Sequence, residues 1–416
     1  MAAAVFRRDT PAVSLWPHHG YSSRALWSSC CERSVRVRAA EPGGSLAKSK
    51  RRSVAIIGTR GYPSYYGGFE TAVRHIAPYL ADDEWDVTVY GRPGATIDAG
   101  ADPRVRRVTT VGSDKKSIST LSYGFTSALH AILKKPDVAL VMNVANGFWL
   151  PLLKLRGIRV VVNVDGIEWE RAKWGRVART VFRAGARLTA TFADRLVVDA
   201  RALGDYWKRN FGRTSLFIPY GGDFSPAQAS PTQFGRRQYV LVVARFVPEN
   251  TIEEFLGAAP TLAEDHDVVV VGSSGYGGVF DERVARLSET NPRVHWLGHV
   301  RDDAYLHRLW EDAGAYFHGH SVGGTNPALV QAMASGAPTV ARDTVYNREV
   351  LADTGVFVQP DAASIIAGVR SVLSSSERQE SMSTRARERA KAEYTWERVG
   401  AAYSDALETI RRGPIR

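Results

Sequence analysis

Three short stretches carry residue types that could act on a phosphorylated substrate. Residues 318–327 read His-Gly-His-Ser-Val-Gly-Gly-Thr-Asn-Pro, between an apolar run and a helical pattern. Gly323 and Gly324 let a backbone approach a ligand closely, Thr325 or Asn326 can cap the following helix, and Pro327 fits its first turn. Exposed amides at such a helix start suit a diphosphate; the same residues also make an ordinary well-capped helix. Arg245 follows the apolar run 239–243, where a guanidinium can bind two phosphate oxygens at once. An ion pair with Glu249 is the competing use. Residues 163–174 place Asp165, Glu168, Trp169, Arg171, Lys173 and Trp174 after another apolar run. The tryptophans can stack on sugar faces or anchor a core.

Two further glycine-rich turns follow apolar runs. The first holds Gly58, Gly61, Pro63, Gly67 and Gly68, and Phe69, Val73, Ile76, Ala77 and Leu80 then recur at the spacing of one helix face. This strand, loop and helix could hold an anion, with Arg60 and Glu70 beside it. The second, Gly272 to Gly278, is not a Walker loop, because no Gly-Lys-Ser/Thr follows. Arg176, Arg179, Arg183 and Arg187 form a basic stripe at three- and four-residue spacing, which could lie on anionic lipid or be a solvated face. Asp265-His266-Asp267 has the Asp-x-Asp form that can hold a metal, but it precedes its strand, away from the ligand end; no other metal-ligand spacing occurs.

The elements that position these residues alternate. Strands are expected at 54–57, 86–90, 105–108, 138–142, 160–164, 195–198 and 215–218, with helices at 69–80, 118–133, about 168–192 and 200–210. In the helix at 118–133, Leu121, Phe125, Leu129 and Leu133 fall in phase. Residues 225–235 are rich in Pro, Gln, Ser and Gly and read as a domain boundary. The alternation restarts with strands at 239–243, 268–271, 294–297, 315–318, 338–341 and 355–358 and helices between and after them, the last at about 396–410. Strands alternating with helices imply parallel sheets, and two doubly wound domains would face their strand ends into one cleft.

Composition bounds the rest. A chain of 416 residues is too long for one ordinary domain, and 44% hydrophobic with 23% charged residues is normal for a soluble globular protein. The net charge is +11, but residues 1–52 hold ten Lys/Arg against three Asp/Glu. The remainder is only mildly basic, which argues against nucleic-acid binding. Both cysteines, Cys30 and Cys31, lie in that aperiodic basic tail, which reads as disordered or as upstream sequence from a misplaced start and lacks the apolar core of a secretory signal. The body thus has no disulfide, as suits a cytoplasmic protein, one that could also lie peripherally on the inner face of the plasma membrane.

From about residue 53 to 403 the chain resembles a retaining family 4 glycosyltransferase of the two-Rossmann GT-B fold, closest to its bacterial rhamnosyltransferase branch. The segments that carry the resemblance are 57–70, 164–174, 244–250 and 318–327, with Tyr394-Thr-Trp396 and Val399 resembling the start of the family's last helix. It implies a 53–225 acceptor domain, a 236–392 nucleotide-sugar donor domain and a 393–416 helix crossing back to the first domain. It also implies transfer from dTDP-L-rhamnose to a lipid-linked saccharide, without metal or cofactor. Arg245 would match the phosphate-binding arginine, Gly67 and Gly68 the loop closing over the diphosphate, and Gly323, Gly324, Thr325 and Asn326 the donor loop. Gly272, His320 and Gln331 complete the expected donor set; Arg60, Glu70, Glu168, Trp169 and Trp174 form the expected acceptor set. Asp165 is the candidate to orient the acceptor hydroxyl or act as base.

Two positions depart from the wider family. Gln331 stands where a glutamate is expected, although it can still hydrogen-bond a ribose. Asn250 replaces a lysine, a loss that Arg60 or Arg342 could compensate. The alternatives are a UDP- or GDP-hexose transferase of the same fold, and a nucleotide-sugar-binding protein without catalysis.

Overall fold

The computed structural model describes residues 51–65, 67–96, 100–115, 118–171, 174–224, 229–275 and 277–413. The tail expected at 1–52 thus lies outside the described residues except for Arg51 and Arg52, as do Lys173 and residues 225–228 of the expected linker. Arg52 is already tied into the fold, with its guanidinium 4.9 Å from the Trp85 ring centroid.

The first sheet is built from β1 (Ser53–Ile57), β2 (Asp86–Gly91), β3 (Arg106–Thr109), β4 (Val138–Met142), β5 (Arg159–Asn163), β6 (Arg195–Val198) and β7 (Ser215–Phe217), all parallel, in the order β3-β2-β1-β4-β5-β6-β7. Its helices are α1 (Gly68–Asp82), α2 (Ser119–Lys134), α3 (Leu150–Leu155), α4 (Arg176–Phe192) and α5 (Arg201–Phe211). The second sheet is β8 (Val240–Val243), β9 (Val268–Val271), β10 (Val294–Gly298), β11 (Ala315–His318), β12 (Thr339–Arg342) and β13 (Val356–Val358), parallel in the order β10-β9-β8-β11-β12-β13. With it go α6 (Ile252–Leu262), α7 (Val279–Thr290), α8 (Asp303–Asp312), α9 (Pro327–Ser335), α10 (Val345–Leu351), α11 (Ala362–Leu373) and α12 (Ser376–Glu393). The last helix, α13 (Trp396–Arg412), adds Val399, Tyr403 and Leu407 to the core of the first sheet.

Each sheet is covered on both faces, which is why its central strands read as unbroken apolar runs: β4 and β9 are buried at every position. The expected strands and helices recur within one or two residues, with three differences. The helix expected from 168 starts at Arg176; residues 168–170 form one 3₁₀ turn, and Gly175 is the extended residue before the helix. A 3₁₀ turn over Val144–Trp149 running into α3 had no forecast, because Gly147 and Pro151 punctuate it like a loop. Nor did α10, whose seven residues begin at the Thr344 cap.

In both sheets the strand order reverses beside the first strand, between β1 and β4 and between β8 and β11. The carboxyl ends of the strands at such a reversal are the position where doubly wound sheets take ligands.

Candidate active site between the two sheets

The second sheet brings Arg245 from the end of β8, Gly272 from β9 and residues 319–326 from β11 to one edge. Arg245 is exposed, and its guanidinium makes no hydrogen bond or ion pair among the described residues, so the expected competitor Glu249 does not hold it. Its backbone is fixed instead: Asn250 Nδ2 donates to the Arg245 carbonyl at 2.8 Å. Asn250 Oδ1 lies 2.6 Å from His320 Nδ1, so one amide links the arginine turn to the glycine loop. Burial first, then the charges of Arg171 and Arg245, push His320 down to about 4, so its imidazole is neutral at physiological pH.

Asn326 caps α9 by accepting from Ala328 N at 2.9 Å, with Pro327 in the first turn. Thr325 is spent across the cleft, its N–H and hydroxyl both donating to the Asp199 carbonyl of the first domain. Gly324 must be glycine for the same reason, since a Cβ there would come within 1.7 Å of Asp199 Oδ1. Gly323, at φ +91°, packs on Gly166, whose own Cβ would meet Gly323 Cα at 3.0 Å.

The first sheet answers with polar residues at its strand ends. Asp165 after β5 and Asn143 after β4 both have positive φ, 60° and 71°. Such strain in non-glycine residues persists only where the surroundings impose it. Here Asn163 Oδ1 accepts from Asp165 N at 3.1 Å, and Tyr403 of α13 accepts from Asn163 Nδ2 at 2.7 Å. Asn143 Nδ2 approaches Asp165 Oδ2 at 3.4 Å. Arg171 pairs with Glu168 at 2.8 Å, and the charges of Asp165, Glu168 and Glu249 outweigh its burial and hold its guanidinium charged. Asp199 is 5% exposed, and its Oδ1 has no hydrogen-bond partner among the described residues. Burial, then the nearby Asp165 charge, push its carboxyl up to about 8.

Several expected site residues have other work. Trp169 is 3% exposed and donates to Tyr206 at 3.3 Å within the core, so it offers no face to a sugar. Gln331 bonds to backbone: its amide oxygen accepts from Asp223 N and its nitrogen donates to Asp223 O, both at 2.9 Å. Gly272 donates its N–H to Gly298 O at 2.7 Å; at φ +123° it lets β9 pass Ala244, where a Cβ would sit 1.9 Å from the Ala244 carbonyl oxygen. The Gln331 amide and the Gly272 N–H thus each have a partner within the protein. Trp174 remains at the site, half-buried, donating to Glu168 at 3.0 Å.

The first glycine loop closes the site from the other side. The N-cap position of α1 is Gly67, so no side chain caps that helix. Buried Glu70 turns back to accept from Arg60 N at 3.1 Å. A Cβ on Gly68 would lie 3.1 Å from the Tyr220 hydroxyl of its own domain and 3.6 Å from Pro327 of the second. Arg342, the other proposed compensating cation, donates to the Thr251 hydroxyl at 3.0 Å. Asp265 and Asp267 serve ion pairs with Arg370 and His295 at the far strand end. Among the described residues no group of three His, Cys, Asp or Glu could hold a metal.

Asn143, Arg171 and Asp199 were not among the residues expected at the site. The signal for Arg171 was its place in the 163–174 segment; Asn143 and Asp199 share only their position at a strand end.

Residues 225–389 match the model for glycosyl transferases group 1, and residues 51–223 match a domain of unknown function, DUF1972. No curated protein matches the sequence. Among solved structures, the chain is similar to sucrose-phosphate synthase from Thermosynechococcus elongatus, at TM-score 0.71 and 19% identity over 86% of this chain and 99% of that one. Anabaena HepE in complex with UDP-glucose gives TM-score 0.65 and 14% identity over 86% and 100%. S. aureus TarM, solved with UDP, gives 0.66 and 9% over 86% and 100%. The chain thus shares the two-sheet GT-B fold of these structures, and its second half matches the glycosyl transferases group 1 model.

Proposed function

We propose that the chain transfers L-rhamnose from dTDP-L-rhamnose, with retention, to a lipid-linked saccharide during synthesis of a cell-surface polysaccharide. The observation that carries the transfer is the unpaired Arg245 guanidinium beside the Gly323–Asn326 loop. The rhamnosyl donor and the acceptor rest on the resemblance of 57–70, 164–174 and 318–327 to that branch. The bond between the anomeric carbon and the diphosphate oxygen breaks while the acceptor oxygen bonds the same face of that carbon. Arg245 and backbone amides meet the charge that develops on the leaving diphosphate, and the acceptor proton passes to a leaving phosphate oxygen. Asp165, fixed through Asn163 and Asn143, orients the acceptor hydroxyl. No metal takes part in this reading. Gln331 is used up on the backbone of Asp223, so its standing in for a glutamate gives no reason to assume lost catalysis.

A UDP-sugar donor is the second reading, favoured by the UDP-glucose complex of HepE. The test is turnover of the purified chain on a lipid-diphosphate saccharide with dTDP-rhamnose, UDP-glucose and GDP-mannose in turn. Turnover should appear with dTDP-rhamnose. A faster reaction with UDP-glucose overturns the donor, and binding without turnover on any donor overturns the transferase.

A further inference from the structure

The helical layer over one face of the first sheet has an unusual outer surface. Ala128 and Ala131 of α2, Leu150 and Leu153 of α3 and Ala186 of α4 point inward into a single core, so the residues opposite them point out. On α2 those are Phe125, Leu129 and Leu133, which are 37%, 41% and 79% exposed. Their four-residue spacing makes a continuous apolar stripe on the outside of the helix, and Leu155 at the end of α3 extends it at 86%. Phe125 packs on Trp149 at 4.8 Å, in the 3₁₀ turn that separates α2 from α4.

Beside this stripe, α4 exposes Arg176, Arg183 and Arg187, with Arg179 half-buried among them. None of these four side chains makes a hydrogen bond, ion pair or ring contact among the described residues. The helices α2, α3 and α4 contain no Asp or Glu at all. Lys154 is paired, but with Asp194, which lies outside them. A solvated helix surface normally interleaves both signs, as α12 does with Arg385, Arg387, Glu388 and Arg389. Exposed leucine and phenylalanine beside unopposed arginine match an interface whose inner zone is hydrocarbon and whose outer zone is negatively charged.

We infer that the outer face of α2, α3 and α4 docks on a bilayer carrying anionic headgroups. The inference deepens the proposed function and rests on its lipid-linked acceptor. The placement fits, because α4 begins five residues after Arg171 and so continues directly from the cleft segment that carries Asp165. Docking there holds the acceptor edge of the cleft beside the membrane surface while the second sheet stays in water.

Co-sedimentation of the full chain with phosphatidylcholine vesicles, with and without phosphatidylglycerol, tests this. The chain should bind the anionic vesicles, less so as salt rises, and bind phosphatidylcholine alone weakly. Replacing Arg176, Arg183 and Arg187 by Glu should lower the affinity by about a hundredfold or more. Replacing Phe125, Leu129 and Leu133 by Ser should lower it while leaving the salt dependence in place. Donor affinity by calorimetry, unchanged in both variants, shows that they fold. Equal binding to both vesicle types, or variants that bind like the parent, overturns the inference. So does a stable dimer by light scattering that the Ser variant dissolves, which would assign the stripe to a second copy. Turnover of a water-soluble acceptor analogue is read separately: its absence counts against the transferase and leaves the vesicle result standing.

Discussion

Two glycine loops face each other across the cleft, and they end differently. The loop after β11 runs into α9 through Asn326 and Pro327, and the Asn326 side chain supplies the cap from within the chain. The loop after β1 runs into α1 through Gly67 and Gly68, and no side chain caps it. The free amides of a helix start are a preformed anion site only when nothing in the chain uses them. By that measure α1 has the more open N-terminus, while the β11 loop spends its groups on joining the domains through Thr325 and Asp199. Arg245 supplies beside the β11 loop the charge that the loop itself lacks.

The comparison breaks most clearly at Arg245. Arg245→Ala should lower turnover by roughly a thousandfold, within the range that preorganised electrostatic stabilisation provides. A near-parental kcat in a transfer assay would move the charge partner elsewhere in the cleft. Gly324→Ala comes next. Its Cβ has no room beside Asp199 Oδ1, so the two domains cannot meet as they do here. A fall of about a hundredfold in kcat/KM is expected, with the fold intact by circular dichroism. Full activity would show that the contact is not made during catalysis.

Asp199 sharpens the comparison through pH. Its folded pKa of about 8 stands above the ordinary carboxyl value, so the folded chain binds the proton more tightly than the unfolded one. That contribution to stability is complete below the ordinary carboxyl range and fades as pH climbs toward 8. Burial, then Asp165 and Glu349, raise the Asp199 pKa against the opposing charge of Arg171, and Tyr220, Tyr346 and Tyr403 also face the group. Asp199→Asn mimics the protonated acid. It should keep activity near pH 7, flatten the fall in melting temperature between pH 5 and about 8, and cost at most a few-fold in rate. If the variant is inactive at pH 7, the carboxylate rather than the acid is the working form. The smallest effect belongs to Gly67→Ser, which gives α1 the cap that α9 already has. Donor affinity should weaken a few-fold while stability changes by only a few tenths of a kcal/mol. Unchanged donor affinity by calorimetry would mean that the α1 terminus takes no part in binding.

How much of this was legible in the sequence follows from how local each signal is. The strands were readable because each central one is buried on both faces and so shows as an apolar run. The α9 cap was readable because Asn326 and Pro327 lie beside the helix they start. Trp169 stayed ambiguous because a tryptophan after a strand can turn either way, and only Tyr206 and Phe211, packed against it from α5, decide that it turns inward. Asp199 was invisible because its meaning lies in a contact with residues 324 and 325, on the other domain. The Gln331 contact was invisible for the same reason, since its partner is the backbone of a passing segment with no side-chain signature. The outward stripe on α2 has regular helical spacing; period alone says that a face exists and not which way it points.

The chain crosses between the two sheets twice, and the crossings touch. Gly222 N donates to Tyr394 O at 2.8 Å, Trp396 packs on Gly221, and Gln331 clasps the peptide of Asp223 from the second domain. A single connecting strand would act as a swivel, leaving the two bodies free to twist about it. Two strands pinned side by side act as the knuckles of a hinge: twisting would shear the bond between them, and rocking would not. The Gln331 amide suits this clasp, because it accepts from the N–H of Asp223 and donates to the carbonyl of the same residue, which a carboxylate cannot do. The pinned crossings thus fix the register in which Gly324 meets Asp199 across the two bodies.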